Sequence, residues 1–90
     1  MRIRFLPEAD VELAEALVWY SLQREDLDVA LVKRIDETLE RIRHNPSASP
    51  IVYRQLRRAI VRQFPFVIFY EARADEVVIY AVFHGVIRNN

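Results

Sequence analysis

Arginines, two histidines and a tyrosine are the side chains of this 90-residue sequence that could do chemistry. Arg54, Arg57, Arg58 and Arg62 crowd ahead of an apolar stretch that ends in Tyr70, and His84 closes the next one, beside Gly85, the chain's one glycine. A guanidinium fork suits phosphate or carboxylate recognition. An imidazole or phenol within reach can act as acid or base. Together these groups fit metal-free RNA cleavage, with arginine neutralising the scissile phosphate while His84 or Tyr70 moves the proton. The same surface fits simple gripping of a protein or nucleic acid, and the residue types alone leave both open.

Other chemistries are poorly served. The chain has no cysteine, so it has neither a disulfide framework nor a thiolate nucleophile. Ser21, Ser47 and Ser49 stand in no motif, no carboxylates are paired in the C-terminal half, and no glycine-rich loop could cradle a phosphate. No metal or other cofactor is expected. His44 reads as a helix C-terminal residue, where partial positive charge is favoured.

The formal net charge of zero conceals a segregation. Residues 8–40 carry ten acids against Arg24, Lys33 and Arg34, whereas residues 41–70 carry six arginines and no acid. A chain divided in this way offers a basic surface despite its neutrality. Ninety residues make one domain, residues 1–90, burying about 60–65% of its unfolded surface. The N-terminus lacks an apolar signal core, and no apolar run approaches the roughly 20 residues of a membrane span, so the expectation is a soluble cytoplasmic protein.

The elements that must position these groups are legible from periodicity. Residues 2–6 alternate as a short strand. Pro7 suits a helix N1 position, with Glu8, Asp10 and Glu12 behind it, and Leu13, Ala16, Leu17 and Tyr20 set an apolar stripe reaching about Gln23. Trp19, near the stripe's edge, is expected to pack on the core or lie as a lid over it. Asp26 or Asp28 is the expected N-cap of a second helix with Leu31, Ile35, Leu39 and Ile42 inward and a Glu37–Arg41 pair outside, ended by Asn45-Pro46. So short a link makes the helices antiparallel neighbours.

From Ile51 the pattern turns to strands, predicted at 51–56, 58–64, 66–72 and 77–83, the middle two meeting at Phe64-Pro65. The expected class is α+β: a short N-terminal strand, an antiparallel helix hairpin, then a three- to four-stranded, mainly antiparallel sheet on the helices. The last two strands are apolar on both faces, with Val77, Ile79, Ala81 and Phe83 expected opposite Val78, Tyr80 and Val82. Two helices cover one sheet face, so the other should be exposed, apolar and matched to a protein partner.

This order, with Trp19-Tyr20, Ile35-Asp36-Glu37-Thr38-Leu39, Ile42-Arg43-His44-Asn45-Pro46, Arg57-Arg58, Phe64-Pro65-Phe66-Val67-Ile68-Phe69-Tyr70 and Ile79-Tyr80-Ala81-Val82-Phe83-His84-Gly85, resembles the ParE/RelE superfamily of bacterial toxins over residues 1–85. The resemblance implies the toxin of a type II toxin–antitoxin pair, in hetero-oligomeric complex with a cognate antitoxin and acting away from membranes. ParE-like members poison DNA gyrase; RelE-like members cut mRNA on the ribosome. RelE-like chains usually place arginine after the aromatic that opens the strand ending in tyrosine, and here Val67 follows Phe66. They also tend to carry lysines on the preceding strand, where this chain has Arg57, Arg58 and Arg62.

The expectation is therefore gyrase as target and no catalysis. The alternatives are a ribosome-dependent mRNA endonuclease or a non-toxic antitoxin-binding module. As a nuclease it would use Arg62, Tyr70, His84 and Arg88. Target or antitoxin contacts would fall on Arg54, Arg57, Arg58, Arg62, Phe69 and Tyr80. Arg88 comes four residues after His84, where many relatives have it at three, and the sequence closes at Asn90. If that tail carries target contacts, weak toxicity with antitoxin binding retained is expected.

Overall fold

The computed structural model describes residues 1–85. Its elements run β1 (Arg2–Phe5), α1 (Pro7–Gln23), α2 (Leu27–His44), β2 (Ile51–Tyr53), β3 (Leu56–Ile60), β4 (Phe66–Ala72) and β5 (Glu76–His84). The architecture is α+β, and the strands lie in the order β1-β5-β4-β3-β2. β1 runs parallel to β5 and every other pair is antiparallel. The short first strand thus joins the sheet, making five strands.

Pro7 opens α1 because the N–H that proline lacks would have no intrahelical acceptor in the first turn, and Glu8 and Asp10 follow where the helix dipole favours anions. The inward stripes of both helices, with Ala9, Tyr20, Leu31, Ile35 and Ile42 buried, pack on Ile68, Tyr70, Val77 and Ile79. One residue past β1, the Leu6 N–H donates to the Ile79 carbonyl (2.9 Å), carrying the chain from β1 directly into α1.

Several local expectations are corrected. Asp26 does hold the N-cap position, but in a left-handed conformation (φ 68°) with no side-chain cap bond. Glu37 pairs with Arg34 (2.9 Å) rather than Arg41, whose Nη2 instead donates to Thr38 Oγ1 and the Ile60 carbonyl, both at 3.2 Å. β3 stops at Ile60. The Val61 N–H closes on the Phe66 carbonyl at 3.0 Å, residues 61–65 turn with Gln63 at φ 69°, and Phe64 packs edge-on against Tyr20 at 5.3 Å. Packing against α1 thus overrides the strand propensity of Phe64.

The largest difference lies in β5. Its register against β4 slips between Phe69 and Tyr70, so Phe69 pairs with Ala81 while Tyr70 pairs with Ile79 and Tyr80 is the extra residue. A bulge reverses the alternation beyond it. Val82 therefore joins Val77 and Ile79 in the helix-facing core, where Ala81 and Phe83 were expected.

The far sheet face is also less exposed than its composition suggests. Val67 is 5% and Val78 0% exposed, while Ile60 and Phe83 are half open. One end of the face carries ions: Arg4 clasps Glu76 with Nε to Oε1 at 3.1 Å and Nη2 to Oε2 at 3.2 Å, and Arg2 and Arg73 join them. That network occupies surface the apolar pattern left for a partner. Among the described residues no helix is long and apolar enough to cross a membrane.

Candidate functional site

The groups singled out from the sequence divide among three places. Arg57 is turned into structure: its Nη1 donates to the Ser47 and Ser49 carbonyls at 3.1 and 2.7 Å, holding the loop that follows α2. Tyr70 faces the same loop, wholly buried, with its hydroxyl donating to the Pro46 carbonyl at 2.6 Å. A phenol so enclosed has no path to a substrate's proton. The register places Arg57 directly opposite Tyr70, so both fasten one loop to the sheet.

Arg54 and Arg62 are exposed. Arg54 sits in the β2–β3 turn at φ 52°, its guanidinium 5.3 Å from the Tyr53 ring centre and its Nε 3.0 Å from that tyrosine's hydroxyl. Arg58 pairs across the sheet with Phe69 on the far face, both half-buried. Among the described residues the Arg58 Nε is buried without a hydrogen-bond partner. Arg58 and Arg41 line a cleft of about 310 Å³ between the end of α2 and β3. Tyr80, at the bulge, receives the Arg73 Nη2 at 3.3 Å. Arg88 lies outside the described residues.

His84 belongs to none of these. It ends β5 on the α1 side, its ring 4.9 Å from Phe66, 6.3 Å from Trp19 and 6.4 Å from Tyr20. These aromatics border a cleft of about 480 Å³ between α1 and the end of β5, with Glu12, Glu15 and Phe83 on its rim. Burial pushes the Tyr20 hydroxyl up from its ordinary value. Glu12 Oε1 accepts the Val82 N–H at 3.0 Å, tying helix to strand. Gly85 matters to the rim because a Cβ there would lie 3.0 Å from Phe83 Cδ2 and Cε2, so the ring rests against a bare α-carbon.

Trp19, expected on the core or as a lid over it, is 52% exposed at this rim, edge-on to the buried Tyr20 at 4.8 Å. Glu12, Glu15 and Phe83 had no place among the sequence candidates. The signal that could have found them is that α1 carries no basic residue along its whole length. Of the groups named for RNA cleavage, Tyr70 is sealed in the sheet, Arg62 is exposed in the turn after β3 and His84 has aromatic ring neighbours, while Arg88 lies outside the described residues.

The family model described as the ParE toxin of the type II toxin–antitoxin system, parDE, matches residues 3–87. A solved structure described as the chromosomal ParDE TA system from P. aeruginosa superposes with a TM-score of 0.77 at 17% identity, covering 91% of this chain and 92% of that one. That likeness is one of fold. A search of curated proteins returned no significant sequence match.

Proposed function

Because this chain belongs to the ParE toxin family of type II toxin–antitoxin systems, we propose that it is the growth-inhibiting member of such a pair, neutralised by a cognate antitoxin, with DNA gyrase as its target. The observation that carries this reading is the family match over nearly the whole chain, residues 3–87. It favours the cytoplasm, where a gyrase and a freshly translated antitoxin would be met.

The site geometry supports a poison that binds over a nuclease that cleaves. Phosphodiester cleavage without a metal needs a proton-transfer group and a cation converging on one phosphate. Here the Tyr70 hydroxyl is spent on Pro46, and Val67 is a buried apolar residue where the RelE-like pattern has a cation. Binding a large protein needs exposed groups instead, and Arg54, Arg62 and the half-open Ile60 and Phe83 are of that kind.

The test is inducible expression with and without the antitoxin gene in the adjacent reading frame. Growth arrest relieved by that gene, with gyrase–DNA cleavage complexes and loss of supercoiling activity in the purified reaction, is the expected result. Ribosome-dependent transcript cleavage with gyrase unaffected would make the chain an mRNA endonuclease. Unimpaired growth at confirmed soluble expression would leave it an antitoxin-binding module.

A further inference from the structure

We propose that the cleft between α1 and the end of β5 binds a cationic side chain, an arginine or lysine of a partner polypeptide, with its charged head at Glu12 and Glu15 and its methylene stem along Trp19 and Phe83.

The charge that the described residues bring to the cleft has one sign. Glu12 and Glu15 stand on its rim, and among the described residues no arginine or lysine lines it. Neither carboxylate forms an ion pair among the described residues. Glu12 commits only Oε1, to the Val82 N–H, which leaves Oε2 for a second donor. Carboxylates next to aromatic walls lose solvation on burial, and an incoming cation that hydrogen-bonds them offsets that loss.

The aromatic part of the cleft narrows the cation's chemistry. Trp19 and Phe83, each 52% exposed, present ring surface that the core does not bury. Indole is the strongest cation–π acceptor among side chains. A hard metal ion would complete its oxygen shell with water and gain nothing from the aromatic walls. A guanidinium or ammonium on an apolar stem meets both halves of the site at once.

The position of the cleft points to a polypeptide as carrier. β1 pairs with β5 only as far as Phe5–Ile79, whereas β5 continues to His84. Beyond Ile79 the strand has β4 on one side and, among the described residues, no strand on the other. A chain lying along that edge would bring a basic side chain over Glu12 and Glu15. Which protein supplies it rests on the toxin–antitoxin reading; the recognition chemistry does not.

The probe is N-acetyl-arginine amide, with the equally shaped but uncharged N-acetyl-citrulline amide as control. Trp19 is the chain's one tryptophan, so its fluorescence and indole N–H resonance report on this cleft alone. A saturable millimolar response to the arginine compound is expected, absent with citrulline and weakened at least five-fold by Glu15→Gln. The second arm measures antitoxin affinity for the Glu12→Gln, Glu15→Gln double variant, in which glutamine still accepts the Val82 N–H; a ten-fold or greater loss is expected. Equal responses to arginine and citrulline, no response to arginine, or undiminished antitoxin affinity would each overturn the proposal. Any of these with antitoxin-relieved growth arrest intact would leave the toxin reading standing, whereas absence of arrest would remove that reading without touching the arginine titration.

Discussion

The hydroxyl of Tyr70, a residue with no exposed surface, donates a 2.6 Å hydrogen bond to the carbonyl of Pro46, so the loop after α2 is anchored in the middle of the sheet. Removing that hydroxyl leaves the ring's packing in place and strands a carbonyl. An unsatisfied buried acceptor costs roughly 1–3 kcal/mol. Tyr70→Phe should therefore lower the unfolding free energy by about that much, read as a lower urea midpoint at unchanged slope, and speed hydrogen exchange in residues 45–50. An unchanged midpoint would mean that water replaces the phenol there.

The second prediction concerns acid. Glu76 is drawn down from 4.5 to about 2, first by its hydrogen bond with Arg4 and then by Arg2, against a desolvation penalty of opposite sign. Its folded form binds a proton less readily than its unfolded form, so the stabilisation is complete above the unfolded value and is lost as pH falls from about 5 towards 2. Melting curves of wild type and Glu76→Gln should be far apart at pH 6 and converge by pH 2. A constant gap across that range would show that Glu76 contributes through packing alone.

Much of the fold was legible in the sequence. Pro7 and the spacing of Leu13, Ala16, Leu17 and Tyr20 mark α1, because a helix start and a 3.6-residue stripe are local signals. The faces of β5 were not. One inserted residue at Tyr80 reverses which side chains meet the helices, and nothing in an all-apolar run betrays such a slip. The surroundings of the candidate site residues were not legible for a related reason. Arginines near a strand look alike in sequence, but Arg57 bonds two loop carbonyls while Arg54 and Arg62 stay in solvent, and only register and loop path separate them.

The third prediction isolates the tie between α1 and β5. Glu12→Ala removes the acceptor for the Val82 N–H and opens a strand edge, costing roughly 1–2 kcal/mol. Glu12→Gln keeps an oxygen in place and should recover most of that stability. Thermal melts at pH 7 check the order wild type, then Gln, then Ala. Because unpaired edges recruit other edges, Glu12→Ala should also show a concentration-dependent sedimentation coefficient that Glu12→Gln lacks.

The arginines supply the last prediction, which separates a structural cation from exposed ones. The Arg57 guanidinium bonds the Ser47 and Ser49 carbonyls, and truncation leaves both without that donor. Arg57→Ala should cost roughly 1–2 kcal/mol, and Arg57→Lys should recover only part, because the lysine nitrogen sits one bond closer to the backbone than the Nη1 that reaches both carbonyls. Arg62 is exposed, so Arg62→Ala should leave stability within about 0.5 kcal/mol. Its effect should appear in partner binding, as a lower association rate and a shallower salt dependence, since an exposed charge steers encounter more than it holds a complex. Urea melts and stopped-flow binding to antitoxin or gyrase, run on all three variants, read the two effects separately. Loss of stability in Arg62→Ala would give that residue a fastening role like that of Arg57.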